Sequence, residues 1–262
     1  MDLLRHSHLL RYVGVHIRQE LLSIVTYPTV NMSLTVYLDM LENRNGNFSS
    51  PPVNGSLSSL KKFLPCLASA LKYLQDNPSG SVYFIPENMY VAARFPPDDH
   101  CPRIYLSDRT LSRVMSLSEV RGTHSPNAAF KSVHDGQETT SGSIFTPGRI
   151  YLDLVLVYSG YRRRELLTFL EEPESFITRL ERVRALAEKL RGKMVFATVI
   201  ERGALPVEGT DAADIILWMI EKVSRERITP SSLVALFEPT NACSCPNYAD
   251  TPDFWEAFKT RP

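Results

Sequence analysis

Arg162, Arg163 and Arg164 follow Ser159-Gly160-Tyr161, and this triplet is the part of the chain best equipped to hold an anion. Guanidinium groups grip phosphate and carboxylate through paired donors. The triplet comes after an apolar run, Ile150 to Tyr158, that reads as a strand. Open α/β sheets bind ligands outside the carboxyl ends of their strands. A helix is also expected to begin here, and cations at a helix N-terminus oppose its dipole by about 0.3–1 kcal/mol each. Something must compensate: a bound ligand or partner, or the neighbouring acids Glu165, Glu171 and Glu172. The second case is a solvated surface cluster. Neither Gly-x-Gly-x-x-Gly nor Gly-x-x-x-x-Gly-Lys-Ser/Thr occurs, so a backbone nest for nucleotide phosphates has no support.

Sulfur and imidazole come next. The chain has four cysteines, Cys66, Cys101, Cys243 and Cys245. Zinc sites usually pair their ligands two to four residues apart. Cys243-Ser244-Cys245 and His100-Cys101 match that spacing poorly and lie far from each other, so the expectation is ordinary thiols, with no metal and no cofactor, and a zinc-stapled domain is the less favoured reading. Asp153 interrupts the apolar run and, on a strand, shares a face with Tyr151, Val155 and Val157. A carboxylate there needs a partner. A metal-dependent nuclease would combine it with Glu165 or Glu201 and Lys193, but no tight Glu-x-Lys pair accompanies it. His124 and His134-Asp135 lie in a polar loop, so no catalytic residue is assigned. At the far end Tyr248, Phe254, Trp255 and Phe258 are residue types that dominate protein interfaces, and Phe254, Trp255 and Phe258 join Tyr161 and the arginines as candidate partner contacts.

The totals bound the class. The 262 residues are 44% hydrophobic and 22% charged, with formal net charge zero and a sequence pI near 7.0. This is an ordinary soluble composition. It gives no whole-molecule attraction to nucleic acid or anionic lipid. No apolar run approaches the roughly 18 residues of a membrane span. Four cysteines are too few for a disulfide scaffold of this size, which points to a reducing, intracellular compartment, cytoplasmic or nuclear. The sequons at Asn31, Asn47 and Asn54 then carry no weight.

The elements that must position these residues read as follows. Leu3, Leu10, Ile17 and Ile24 recur at seven-residue spacing, predicting a helix over about 2–25. Its arginines and scarcity of acids also fit a mitochondrial presequence, a less favoured reading. A helical or extended element covers 32–42, and a helix covers 60–75, with Pro65 marking its first turn. Short strands are expected at 82–85, 88–95 and 103–106, then a helix to Val120. Residues 122–148 hold almost no core-forming side chains and divide an N-terminal region, 1–121, from an α/β unit, 149–262, with one core shared by both halves as the alternative. In that unit Ile150–Tyr158 and Met194–Ile200 are read as parallel strands joined by a helix over 173–191, with Arg184 paired to Glu188 and Gly192 as the stop. Asp211 caps a helix that is apolar all round at Ile215–Ile220, and short helices follow at 231–237 and 252–259.

The fold expected is therefore mixed α+β: N-terminal helices with a small antiparallel sheet, then a strand-helix-strand unit with covering helices. The function expected is a non-catalytic protein-interaction or regulatory protein, featureless in the way of small viral accessory proteins. The alternative is an enzyme or binder for a phosphorylated or nucleic-acid ligand held by Arg162, Arg163 and Arg164.

Overall fold

The computed structural model describes residues 6–18, 21–44, 57–77, 88–92, 102–107, 145–164, 176–196, 209–221, 226–237, 243 and 245. They form a mixed α+β structure of helices and small antiparallel sheets.

The chain opens on a hairpin where a helix was expected. β1 (Arg11–Arg18) pairs antiparallel with β2 (Leu21–Tyr27), from Arg11 opposite Tyr27 to Arg18 opposite Leu21, with a bulge between Tyr12 and Gly14. Val13, Val15 and Ile17 alternate with Gly14 and His16. β-Branched side chains at period two favour a pleated strand, and Gly14 weakens a helix by about 1 kcal/mol. The seven-residue spacing of leucines and isoleucines was the weaker signal.

The segment before the hairpin joins a sheet. β3 (Met32–Ser33), β4 (Met89–Ala92) and β5 (Arg103–Leu106) are antiparallel neighbours in that order. Leu9 bridges Leu106 in parallel. The Leu10 N–H donates to the Leu106 carbonyl and the Leu106 N–H to the His8 carbonyl, each at 2.8 Å. Expected strands thus appear at 103–106 and inside 88–95; 82–85 lies outside the described residues, as does the helix expected up to Val120.

α1 (Leu34–Arg44) follows β3, and α2 (Ser58–Asp76) carries Pro65 in its interior instead of its first turn. The largest correction is Ile150–Tyr158. It is the greater part of a helix, α3 (Phe145–Tyr158), not a strand. Ile150 to Leu152 and Leu154 to Val157 are all at most 1% exposed, so the continuous apolar run reflects a helix buried on every side, packed against α1, α2 and the later α5. Its end is a Schellman motif: the Tyr161 N–H reaches the Leu156 carbonyl at 3.0 Å and the Gly160 N–H the Val157 carbonyl at 3.1 Å, with Gly160 at φ +81°.

α4 (Phe176–Lys189) stops before Gly192 as expected, at φ +78°. Arg184 reaches Glu221 at 3.1 Å, not Glu188, which pairs with Arg191 at 2.9 Å. β6 (Val195–Phe196) and β7 (Thr210–Asp211) pair antiparallel, so no parallel strand-helix-strand unit forms among the described residues. Asp211 caps α5 (Ala212–Met219) through the Ala213 N–H at 2.8 Å. Within the apolar run 215–220, Trp218 is exposed while Ile215, Ile216, Met219 and Ile220 are buried. α6 (Pro230–Phe237) packs on α2. One hydrophobic cluster takes residues from Leu9 to Phe237, so both halves of the sequence contribute to a shared core. No helix among the described residues is long and apolar enough to cross a membrane.

Candidate metal centre

Four side chains with metal-binding chemistry converge where the sheet meets α2: His8, Cys66, Cys243 and Cys245. Their donor atoms all lie within 4.8 Å of one another. His8 and Cys66 are buried and the other two half-buried. They come from three separate stretches of chain, each fixed by ordinary packing. Cys66 lies on the core-facing side of α2 between Leu64 and Leu67, both buried. His8 is set by the backbone pairing of its segment to β5. Cys243 and Cys245 pack against the core with one residue between them.

The histidine is oriented. Its Nδ1 lies 2.7 Å from the Ile104 carbonyl, in a buried bond. A carbonyl only accepts, so Nδ1 carries the hydrogen. Nε2 then faces the sulfurs, 2.9 Å from Cys243 Sγ. Across the cluster Cys66 Sγ and Cys245 Sγ are 3.8 Å apart.

The electrostatics follow from crowding these groups together. Burial alone would lower the His8 pKa, but hydrogen bonds and charge at Cys243 and Cys245 outweigh it and raise it to about 9. Hydrogen bonds from Cys245 and Cys66, with His8 beside it, hold Cys243 far below an ordinary thiol. Cys66 is pushed well up, by its hydrogen bonds to Cys243 and Cys245 and then by burial. The crowding thus favours charge on Cys243 and His8 and disfavours it on Cys66. His6 lies alongside. Its Nδ1 accepts the His8 backbone N–H at 3.1 Å, and its Nε2 lies 3.1 Å from Ser69 Oγ. Burial and the adjacent His8 lower its pKa to about 4, so it stays neutral at physiological pH.

The sequence-predicted arginine site is divided by the fold. Arg163 is buried. Its Nε and its backbone N–H both donate to Glu42 Oε1, at 2.9 and 2.8 Å, and its terminal nitrogen reaches Asp39 and, at 3.3 Å, the Thr35 carbonyl. It locks the end of α3 onto α1. Arg162, Arg164 and Tyr161 are exposed beside it. The three arginines therefore do not converge on one anion. Asp153 is buried within α3 and engaged with its surroundings. Phe254, Trp255 and Phe258 lie outside the described residues, as do His100 and Cys101.

The expectation of no metal ligands missed the cluster. Cys243-Ser244-Cys245 was its one local trace. His8 is 235 residues from Cys243, and Cys66 is 179 from Cys245, so no spacing rule reaches them. No known family model matches the chain, and no curated protein has a detectably similar sequence.

Proposed function

We propose that this chain is a non-catalytic interaction or regulatory protein, an accessory to a larger assembly, that works in a reducing intracellular compartment. The observation that carries the reading is the hairpin. β1 and β2 pair only with each other among the described strands, and Val15, Ile17 and Val25 are 48%, 71% and 40% exposed. An isolated two-stranded ribbon is marginal in water, and exposed apolar ribbon surface is typical of interaction sites. Tyr161, Arg162 and Arg164, held out by the anchored Arg163, add an aromatic and cationic second contact of the kind enriched at interfaces. The reduced thiols at Cys66, Cys243 and Cys245 suit the compartment.

The alternative, a phosphorylated or nucleic-acid ligand on all three arginines, is weakened because Arg163 is already neutralised by Asp39 and Glu42. The test is quantitative affinity purification of the full chain from its native cells, with and without nuclease. Wild type is compared with Ile17→Ser and with an Arg162→Ala, Arg164→Ala double variant. The reading expects a stoichiometric, nuclease-resistant protein partner that Ile17→Ser depletes at least tenfold. Identical recovery by wild type and Ile17→Ser removes the hairpin from the interface. Partners that vanish with nuclease favour the ligand alternative.

A further inference from the structure

We propose that His8, Cys66, Cys243 and Cys245 bind one zinc ion in a closed, tetrahedral, structural site. The assignment is independent of the interaction reading. It rests on donor type, donor spacing and the orientation of His8.

Donor type comes first. Three sulfurs and one imidazole nitrogen, with no carboxylate in the group, are a soft set that selects zinc over magnesium, calcium or manganese. Cys3His is one of the standard structural zinc combinations.

Spacing comes second. Sulfurs at about 2.3 Å from one ion, at tetrahedral angles, lie about 3.8 Å apart. The Cys66–Cys245 separation is 3.8 Å, and no pair exceeds 4.8 Å. The His8–Cys243 edge, 2.9 Å, is a hydrogen-bond length, and an ion would widen it by roughly 0.6 Å, given a zinc–nitrogen bond of about 2.0–2.1 Å. An iron–sulfur cluster distributes its ligands over several irons and needs a wider frame than this. The geometry is that of one ion.

Orientation is the third and most specific observation. Metal-bound histidines almost always donate their other ring N–H to a carbonyl or carboxylate, which fixes the tautomer. The bond from His8 Nδ1 to the Ile104 carbonyl does this and turns Nε2 toward the three sulfurs. His6 supports the arrangement from behind, taking the His8 backbone N–H. A histidine that merely filled a gap in the core would not need its second nitrogen aimed at a thiol trio. Binding would displace the proton from Nε2 and the protons remaining on the thiols into solvent, leaving a thiolate-rich site with all four positions taken by protein. No position stays open for water or substrate, which is the mark of structural and not catalytic zinc.

The experiment uses the untagged full-length chain, purified under reducing conditions after growth with zinc and analysed for metals by mass spectrometry. One zinc per chain is expected. It should fall at least tenfold in Cys243→Ser and in His8→Gln, and be largely restored in His8→Cys, which keeps a soft ligand at that position. Cys101→Ser should leave it unchanged. Because Cys66 variants risk misfolding, wild-type protein supplies the second measurement. Cys66, Cys243 and Cys245 should resist alkylation until a strong chelator is added, and cobalt substitution should give the intense visible bands of a tetrahedral thiolate site. Substoichiometric metal in folded wild type overturns the proposal. So does a disulfide within the trio in freshly purified protein, or zinc lost in Cys101→Ser but kept in Cys243→Ser.

Discussion

Replacing Arg163 by Ala should destabilise the fold by about 3 kcal/mol, whereas replacing Arg162 or Arg164 should change stability by less than about 0.5 kcal/mol. The contrast is worked from exposure. The Arg163 side chain is 9% exposed and its partner Glu42 15%, while Asp39 is 56% exposed. Breaking a buried pair by removing one member typically costs about 3–5 kcal/mol, because the other charge is left uncompensated. Here the loss falls at the low end, because the backbone N–H of residue 163 still donates to Glu42 Oε1. Glu42→Ala should cost a similar amount, since it leaves the buried Arg163 Nε and that backbone N–H without their shared acceptor. Asp39→Ala should cost under about 1 kcal/mol, as solvent screens an exposed partner, and its effect should shrink further with salt. Urea unfolding at matched slopes reads each difference. A double-mutant cycle should give strong coupling between Arg163 and Glu42 and weak coupling between Arg163 and Asp39. If Arg163→Ala is as stable as wild type, or Asp39 matters more than Glu42, the anchoring role is wrong and Arg163 returns to the candidate ligand contacts.

Two further predictions concern the central helix. Gly160→Ala should cost about 1–2 kcal/mol with little change in the unfolding slope, because φ +81° strains any residue with a Cβ although nothing crowds the site; a neutral substitution would mean the turn after α3 is not the one described. Tyr151 is fully enclosed, and its hydroxyl donates to the Leu64 carbonyl at 2.6 Å. Burial and then the nearby Cys66 hold its pKa well above the ordinary phenol value, so the folded state binds that proton more tightly than the unfolded chain. Its contribution to stability is therefore complete below the unfolded pKa of about 10 and declines as pH rises beyond it. Tyr151→Phe, which removes this bond but leaves the Leu64 carbonyl its place in the α2 ladder, should cost about 0.5–1.5 kcal/mol at neutral pH and flatten this alkaline decline; an unchanged alkaline unfolding profile would refute it.

The elements that were legible in the sequence are those whose signal is local. β5 was bounded by its β-branched and aromatic residues, α2 by five leucines and a phenylalanine on one face, α5 by its Asp211 cap, and the end of α4 by Gly192. The failures share a cause. Ile150–Tyr158 is apolar at almost every position, and a buried helix and a buried strand then look alike, because period is the signal and there is none. Gly160 resolves the ambiguity once its position is considered, since a C-terminal glycine in the left-handed region closes a helix. Residues 11–27 failed in the opposite way: a seven-residue recurrence of leucine and isoleucine overrode the finer alternation at Val13, Val15 and Ile17. The arginine triplet was correctly singled out as unusual. Its meaning changed because the segment before it is a helix and not a strand, and because the charge that compensates Arg163, where helical backbone resumes, comes from α1, 121 residues earlier.

The metal centre was illegible for a deeper reason, which also indicates what it contributes. Small domains that depend on zinc to fold usually carry their ligands in short, regular spacings, because the metal must organise a chain with little core of its own. This chain has an extensive core to which every helix from α1 to α6 contributes. Its ligands are correspondingly scattered: one on α2, at the heart of that core, one on the strand-like segment leading into the hairpin, and two beyond α6. A bond between such distant positions closes very long loops, and closure cost grows only slowly with loop length. A core that has already brought the segments together leaves even less of that cost for the ion to meet. Zinc at this centre would therefore act on the periphery. It would fasten the base of the apolar hairpin and the Cys243–Cys245 stretch onto α2, and so fix the direction in which the surface around Val15 and Ile17 is presented.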